Sequence, residues 1–222
     1  AEDGIRYWSV TGVQTCALPI CRRGHRCAHV GLADRGRGRA RGLRGAAVAA
    51  SIEALSSIFA HDAELSARVI AASTVSGLPL WAKLSPNTDR IVEVAGAVRE
   101  AGASAVTLVN TLLGMVLDLS TGRPALGKGG GGISGPAIHP VAVRAVHDVR
   151  AFHPDLPIIG VGGVLHGRDV VEFMMAGASA VQVGTATFAD PRALWKISSA
   201  SQRWLSRRGV TSIRELQGVA HG

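Results

Sequence analysis

The sequence predicts an α/β fold, a partial (β/α)8 barrel comprising its second half, with about four parallel strands and their helices. Three observations carry this. First, short apolar, β-branched runs end in small or polar residues at 78–84, 104–109, 157–161 and 179–183. That is the pattern of a strand buried on both faces whose C-terminal end opens onto a ligand. Second, each run alternates with a stretch of helical periodicity, so right-handed parallel crossovers are expected. Third, Gly162-Gly163 and Gly184-Thr185 close two consecutive runs. The stretch from Ile52 to the C-terminus falls short of the roughly 250 residues of a complete barrel. The alternative is a free-standing, four-stranded doubly wound sheet.

The elements follow in order. Asp62 is a helix N-cap, with Leu65, Val69 and Ile70 on one face and Gly77 as the stop. The strand around Leu80-Trp81-Ala82-Lys83-Leu84 exits through Ser85-Pro86-Asn87. Thr88 or Asp89 starts the next helix, whose apolar face is Ile91, Val92, Val94, Ala95 and Val98. After Asn110 comes a long loop crowded with glycine between 127 and 135, and loops of that length in a compact domain are usually functional. Helices are expected near 139–152, 167–176 and 190–206. Ser212-Ile213-Arg214-Glu215 reads as a capping box for a last short helix.

The first fifty residues break this pattern. The chain's net charge is +8. Residues 21–45 contain eight arginines against one acid, Asp34, so nearly all the excess lies there and the remainder is close to neutral. An RNA-binding arm would interleave aromatics with its arginines. Residues 21–50 contain no Phe, Tyr or Trp, so no nucleic-acid partner is expected. Cys16, Cys21 and Cys27 are spaced by four and five residues, unlike metal-binding CxxC pairs, and no metal is expected. The absence of later cysteines fits a reducing cytoplasm. No apolar stretch reaches the ~18 residues of a membrane span. Residues 1–20 resemble the conceptual translation of a sequencing-adapter oligonucleotide. Residues 1–50 are therefore expected to be a non-native or disordered leader, and 51–222 the folded part.

Several residues could do chemistry. Lys83 sits in an apolar run at a strand's C-terminal end, where a lysine must find a partner or lose its charge. It could be a solvated strand-end lysine, or a cation beside a ring that becomes anionic on reduction, such as a flavin. Asn110 can offer donors and an acceptor to a planar, amide-bearing substrate, or simply close a turn. Amides freed by Gly135, Gly162, Gly163, Gly184 and Thr185 could cradle an anion, since barrels commonly hold phosphate after strands seven and eight. Asp118, His139, His147, His153 and His166 read as solvated or turn residues.

Together the blocks resemble class 1 dihydroorotate dehydrogenase. They are Trp81-Ala82-Lys83-Leu84-Ser85-Pro86-Asn87, Asn110-Thr111-Leu112-Leu113-Gly114-Met115 and Gly131-Gly132-Ile133-Ser134-Gly135-Pro136-Ala137-Ile138. Two more follow, Pro157-Ile158-Ile159-Gly160-Val161-Gly162-Gly163 and the segment from Met175 to Thr185. The Asn110–Met115 block is similar to the 1B subgroup. The resemblance runs from about residue 52 to the C-terminus. It implies an FMN flavoprotein of pyrimidine (UMP) biosynthesis that converts dihydroorotate to orotate. Lys83, Val109, Gly135, Gly162, Gly163, Gly184 and Thr185 would then bind FMN, and Asn110 and Thr111 the substrate. The implied setting is cytoplasmic. The implied assembly is a homodimer with a second subunit carrying FAD and an iron–sulfur cluster, which passes electrons to NAD. The family's catalytic cysteine, a lysine and further asparagines come from the first half of the barrel and have no counterpart here. No catalytic residue is therefore retained, and a chain inactive as it stands is expected, with an open sheet edge and an uncovered inner face. Other FMN or phosphate-binding barrel reductases, of dihydropyrimidine or dihydrouridine type, are the alternative within enzymes. A non-catalytic binding fragment is the alternative outside them.

Overall fold

A computed structural model describes residues 61–126 and 129–222, together with the backbone of Cys16–Ala17, His29–Val30 and Ala47–Val48. The expectations for the leader, and for the chain's transition at 51, lie outside the described residues except at those three dipeptides.

Asp62 caps α1 (Ala63–Ser73) as expected, its side chain accepting from the Leu65 amide at 3.0 Å. A turn and the left-handed Gly77 lead into β1 (Trp81–Leu84). Helix α2 (Ile91–Glu100) begins two to three residues later than predicted. The Thr88 hydroxyl accepts from the Arg90 amide at 3.1 Å, and this local bond holds Thr88–Arg90 as a turn rather than a first helical turn. Then comes β2 (Ala105–Leu108).

The segment after Asn110 is not the structureless loop its length suggested. It folds as two small antiparallel ladders, β3 (Leu112–Gly114) with β6 (Gly131–Ile133) and, between them, β4 (Leu117–Asp118) with β5 (Arg123–Pro124). These strands are too short and glycine-rich to show a period of two. Close approach explains the glycines, since a Cβ on Gly132 would lie 2.3 Å from the Thr111 hydroxyl.

Helix α3 (His139–Phe152), β7 (Ile158–Val161), α4 (Gly167–Met175) and β8 (Ala180–Val183) follow within a residue or two of their predicted bounds. The helix predicted over 190–206 begins at Ala193, beyond Asp190-Pro191. A four-residue turn, α5 (Ala186–Ala189), precedes α6 (Ala193–Ser206), because proline cannot continue the helix of the residues before it. The capping box at Ser212 and Glu215 is present, on a 3-10 turn.

The four main strands are parallel, in the order β8-β7-β2-β1. Cys16–Ala17 pairs antiparallel with β8, Cys16 opposite Val183, so that edge is not open. Register sets the two faces. Ala82, Leu84, Val106, Leu108, Ile158 and Val181 join the core formed with the helices. A Cβ on Gly160 would meet the Phe173 ring of α4 at 2.6 Å, which shows how closely that helix lies on this face. Lys83, Thr107, Ile159 and Ala180 are neighbours in register and alternate to the other face. Thr107, Ile159, Val161 and Gln182 are buried there. The expected uncovered inner face is thus corrected.

Candidate active site

All four parallel strands end on the same side of the sheet, where Lys83, Val109-Asn110-Thr111, Gly162-Gly163 and Gly184-Thr185 lie at or just beyond the ends and Gly135 comes against Gly163. Lys83 is the third residue of β1, on the inner face and directly beside Thr107 in register. Loss of water around its ammonium pushes its pKa below the ordinary 10.5. Among the described residues no carboxylate pairs with it. An unpaired, partly desolvated cation is costly to keep unless something anionic completes the site.

Asn110 and Thr111 follow β2. The Val109 amide donates to the Val161 carbonyl and the Asn110 amide to the Leu84 carbonyl, both at 2.8 Å. These bonds tie the strand end to β7 on one side and β1 on the other. The Asn110 side chain makes no hydrogen bond to the described residues. Asn87 organises the segment beyond. Its Nδ2 donates to the Ser85 hydroxyl at 2.8 Å and to the Thr111 carbonyl at 2.9 Å, while its Oδ1 accepts from the Leu113 amide at 2.8 Å. Sequence reasoning placed Asn87 only in an exit loop. Its one signal was an asparagine directly after Ser85-Pro86, a turn dipeptide.

The glycines converge in part. Gly163 has φ +65°, and a Cβ there would lie 2.7 Å from the Gly135 carbonyl oxygen and 3.0 Å from the His139 nitrogen. Only glycine combines that left-handed conformation with so close a backbone contact. Gly135, itself at φ +83°, has open space where a side chain would project. Val161 pairs with Gln182, so Gly162-Gly163 and Gly184-Thr185 leave neighbouring strands at one level. The Gly163 and Thr185 amides have no backbone acceptor among the described residues. The Gly184 carbonyl accepts from the Thr187 amide and hydroxyl, at 2.9 and 2.8 Å.

The histidine reading needs correction. His166 stands at the N-cap of α4, its amide donating to Asp169 Oδ2 at 2.7 Å, and Asp118 holds a turn through Ser120; both are the turn residues expected. That bond to Ser120 lowers the Asp118 carboxyl pKa. His147 stacks on His221 with 4.2 Å between ring centroids. His139 and His153 are half-buried and hydrogen-bonded across the fold rather than simply solvated. His153 Nε2 lies 3.0 Å from the Val92 carbonyl of α2. His139 Nδ1 lies 2.8 Å from the Gly162 carbonyl. A histidine's spacing does not report a partner dozens of residues away. Among the described residues no group of three or more potential metal ligands occurs, and no helix is long and apolar enough to cross a membrane.

Fold and site define a class: a β/α-barrel segment whose strand ends gather a desolvated cation, an amide-bearing loop and a glycine-lined turn. The chain belongs to the dihydroorotate dehydrogenase family, whose sequence profile matches residues 54–205. It is 48% identical over 161 residues to "Dihydroorotate dehydrogenase B (NAD(+)), catalytic subunit" of Bacillus pumilus (strain SAFR-032), covering 72% of this chain and 52% of that protein. The protein of the same description from Bacillus cytotoxicus is 50% identical over 156 residues, 70% of this chain and 49% of its own length. The chain thus spans about half the length of the curated relatives it matches. Among solved structures, DHODH in complex with ferulenol from Eimeria tenella superposes with a TM-score of 0.64 at 19% identity, over 79% of this chain and 54% of that one. That likeness shows the fold.

Proposed function

We propose that this chain carries the cofactor-phosphate and substrate-orienting half of an FMN-dependent dihydroorotate dehydrogenase of the 1B type, which oxidises dihydroorotate to orotate in pyrimidine biosynthesis. The observation that carries the reading is that Lys83, Asn110-Thr111 and the Gly135–Gly163 contact emerge together at one end of a single parallel sheet. FMN is one molecule that needs all three kinds of group. It has a terminal dianion, a ring that gains negative charge on reduction, and a face on which a flat substrate rests. The residues fit it. The Gly163 and Thr185 amides are available to an anion, and the space beside Gly135 is open. Lys83 lacks a carboxylate partner among the described residues.

When bound, FMN supplies the hydride acceptor. Every other role belongs to the chain. Lys83 provides fixed positive charge beside the ring, strengthened by its poor solvation. Val109 contributes backbone at the strand end. Asn110 and Thr111 hold the pyrimidine edge of the substrate, with Asn87 fixing the segment that bears them. Gly135, Gly162, Gly163, Gly184 and Thr185 hold the phosphate. Residues 61–222 contain no cysteine. By themselves these residues would bind and orient rather than turn over, because general-base catalysis, worth about 10²–10⁴-fold, needs a base they do not supply. The relatives' description as catalytic subunit of an NAD(+)-linked enzyme supports a partner electron-transfer subunit; that this subunit carries FAD and an iron–sulfur cluster, that the assembly centres on a homodimer and that its setting is cytoplasmic are further parts of this proposal.

Flavin fluorescence tests the reading. Titration of FMN and riboflavin into the 222-residue chain is expected to give saturable quenching by FMN. Riboflavin should bind at least about tenfold more weakly, equivalent to ~1.4 kcal/mol. Equal, weak binding of the two would refute the phosphate site.

A further inference from the structure

His139 opens α3 beside the Gly162-Gly163 turn. Its Nδ1 is 2.8 Å from the Gly162 carbonyl oxygen, and its Nε2 is 3.1 Å from Glu172 Oε2 on α4. The ring stands edge-on to Phe173, with centroids 5.0 Å apart at 89°. Its side chain is only 13% exposed, whereas Glu172 is 57% exposed. The imidazole is therefore held on three sides, and the backbone group it hydrogen-bonds among the described residues belongs to the glycine turn.

That group matters because of peptide geometry. The Gly162 carbonyl and the Gly163 amide are two edges of one planar unit, pointing in opposite directions when the bond is trans. The only cis bond among the described residues is Leu108–Val109. Holding the Gly162 carbonyl towards His139 therefore aims the Gly163 N–H away from it, and this N–H has no backbone acceptor among the described residues. Glycine at 162 and 163 leaves the unit free to rotate unless something pins it.

We propose that His139 is a positioning residue. By donating from Nδ1 to the Gly162 carbonyl it locks the 162–163 peptide and presents the Gly163 amide to the cofactor phosphate, with Glu172 keeping the ring in place. The identity of the anion rests on the function proposed above; the locking of the peptide does not.

Two readouts on the 222-residue chain test this. Without ligand, the ¹⁵N order parameter of the Gly163 amide is expected near the rigid value of about 0.85, falling below about 0.6 in His139→Leu. It should stay rigid in His139→Asn, whose amide nitrogen can take the place of Nδ1. An unchanged value in His139→Leu overturns the proposal. Should that variant fail to fold, Glu172→Ala, a change on an exposed side chain, decides: a lowered Gly163 order parameter supports the proposal and an unchanged one overturns it. With ligand, His139→Leu should lose roughly tenfold in FMN affinity at unaltered riboflavin affinity, and His139→Asn should restore the preference. If FMN and riboflavin weaken together, His139 only packs, and the proposal falls. If the wild-type chain shows no preference for FMN, the phosphate reading fails instead, and the order parameter alone decides what His139 does.

Discussion

Replacing Gly163 with alanine tests the tightest contact in the site. Two costs add. Residue 163 has φ +65°, and a left-handed conformation costs a non-glycine residue about 1–2 kcal/mol. The new Cβ would also lie 2.7 Å from both the Gly135 oxygen and the His139 Cβ, and 3.0 Å from the His139 nitrogen. Two of these are backbone atoms that cannot swing aside, so an overpacking cost of about 1–3 kcal/mol is expected. The total, about 2–5 kcal/mol, is a large part of the roughly 5–15 kcal/mol by which domains are stable. Gly77 provides the control, since it has φ +64° with nothing within 4 Å of a Cβ. Gly77→Ala should show the conformational cost alone, about 1–2 kcal/mol. Urea denaturation followed by circular dichroism, compared at constant m-value, should separate the two variants by at least about 1 kcal/mol. Equal losses would mean that the 135 and 163 backbones part freely, and the close approach would lose its explanatory role.

Two other perturbations probe the site. Asn87→Ala removes three hydrogen bonds, to Ser85, Thr111 and Leu113. Each contributes about 0.5–1.5 kcal/mol net, and water replaces part of that at this half-buried position, so a loss of about 1–3 kcal/mol is expected. Hydrogen exchange should rise at Leu113 and not in α3; no change at Leu113 would show that Asn87 is not the clamp. Lys83→Met should raise the stability of the ligand-free chain at neutral pH while weakening FMN binding. Burial lowers the Lys83 pKa below its unfolded 10.5, so between those two values the unfolded chain binds more protons than the folded one. Wild-type stability should therefore rise with pH through that window, and the variant's advantage should fade towards pH 10.5. A wild-type chain more stable than Lys83→Met at pH 7 without ligand would show that Lys83 is well solvated or paired.

Much of this was legible in the chain itself. The four strands and their helices announced themselves by period, and Asp62 and Ser212 by capping chemistry, because these are interactions between near neighbours. Lys83 was conspicuous as a charge in an apolar run. The ladders at 112–133 were not legible, since three-residue strands containing glycine carry no alternation. Nor was the four-residue helical turn at Ala186–Ala189, which Asp190-Pro191 separates from the helix that follows. The larger failures were Asn87, placed only in an exit loop, and His139, read as a solvated or turn residue. Asn87 meets Thr111 and Leu113, 24 and 26 positions away, and His139 meets Gly162 and Glu172, 23 and 33 away. Contacts at such separations leave no local pattern.

Sequence alone determined which segments would be strands and helices, and which residues would stand at strand ends, because side-chain period and capping act over a few residues. Tertiary structure decided that Lys83 lies beside Thr107, that the Gly135 and Gly163 backbones touch, and that an imidazole from the preceding helix holds the peptide between two glycines. Those outcomes depend on the register of parallel strands and on how closely a helix can approach them. Both are set by packing of the whole sheet against its helices, which no single segment specifies.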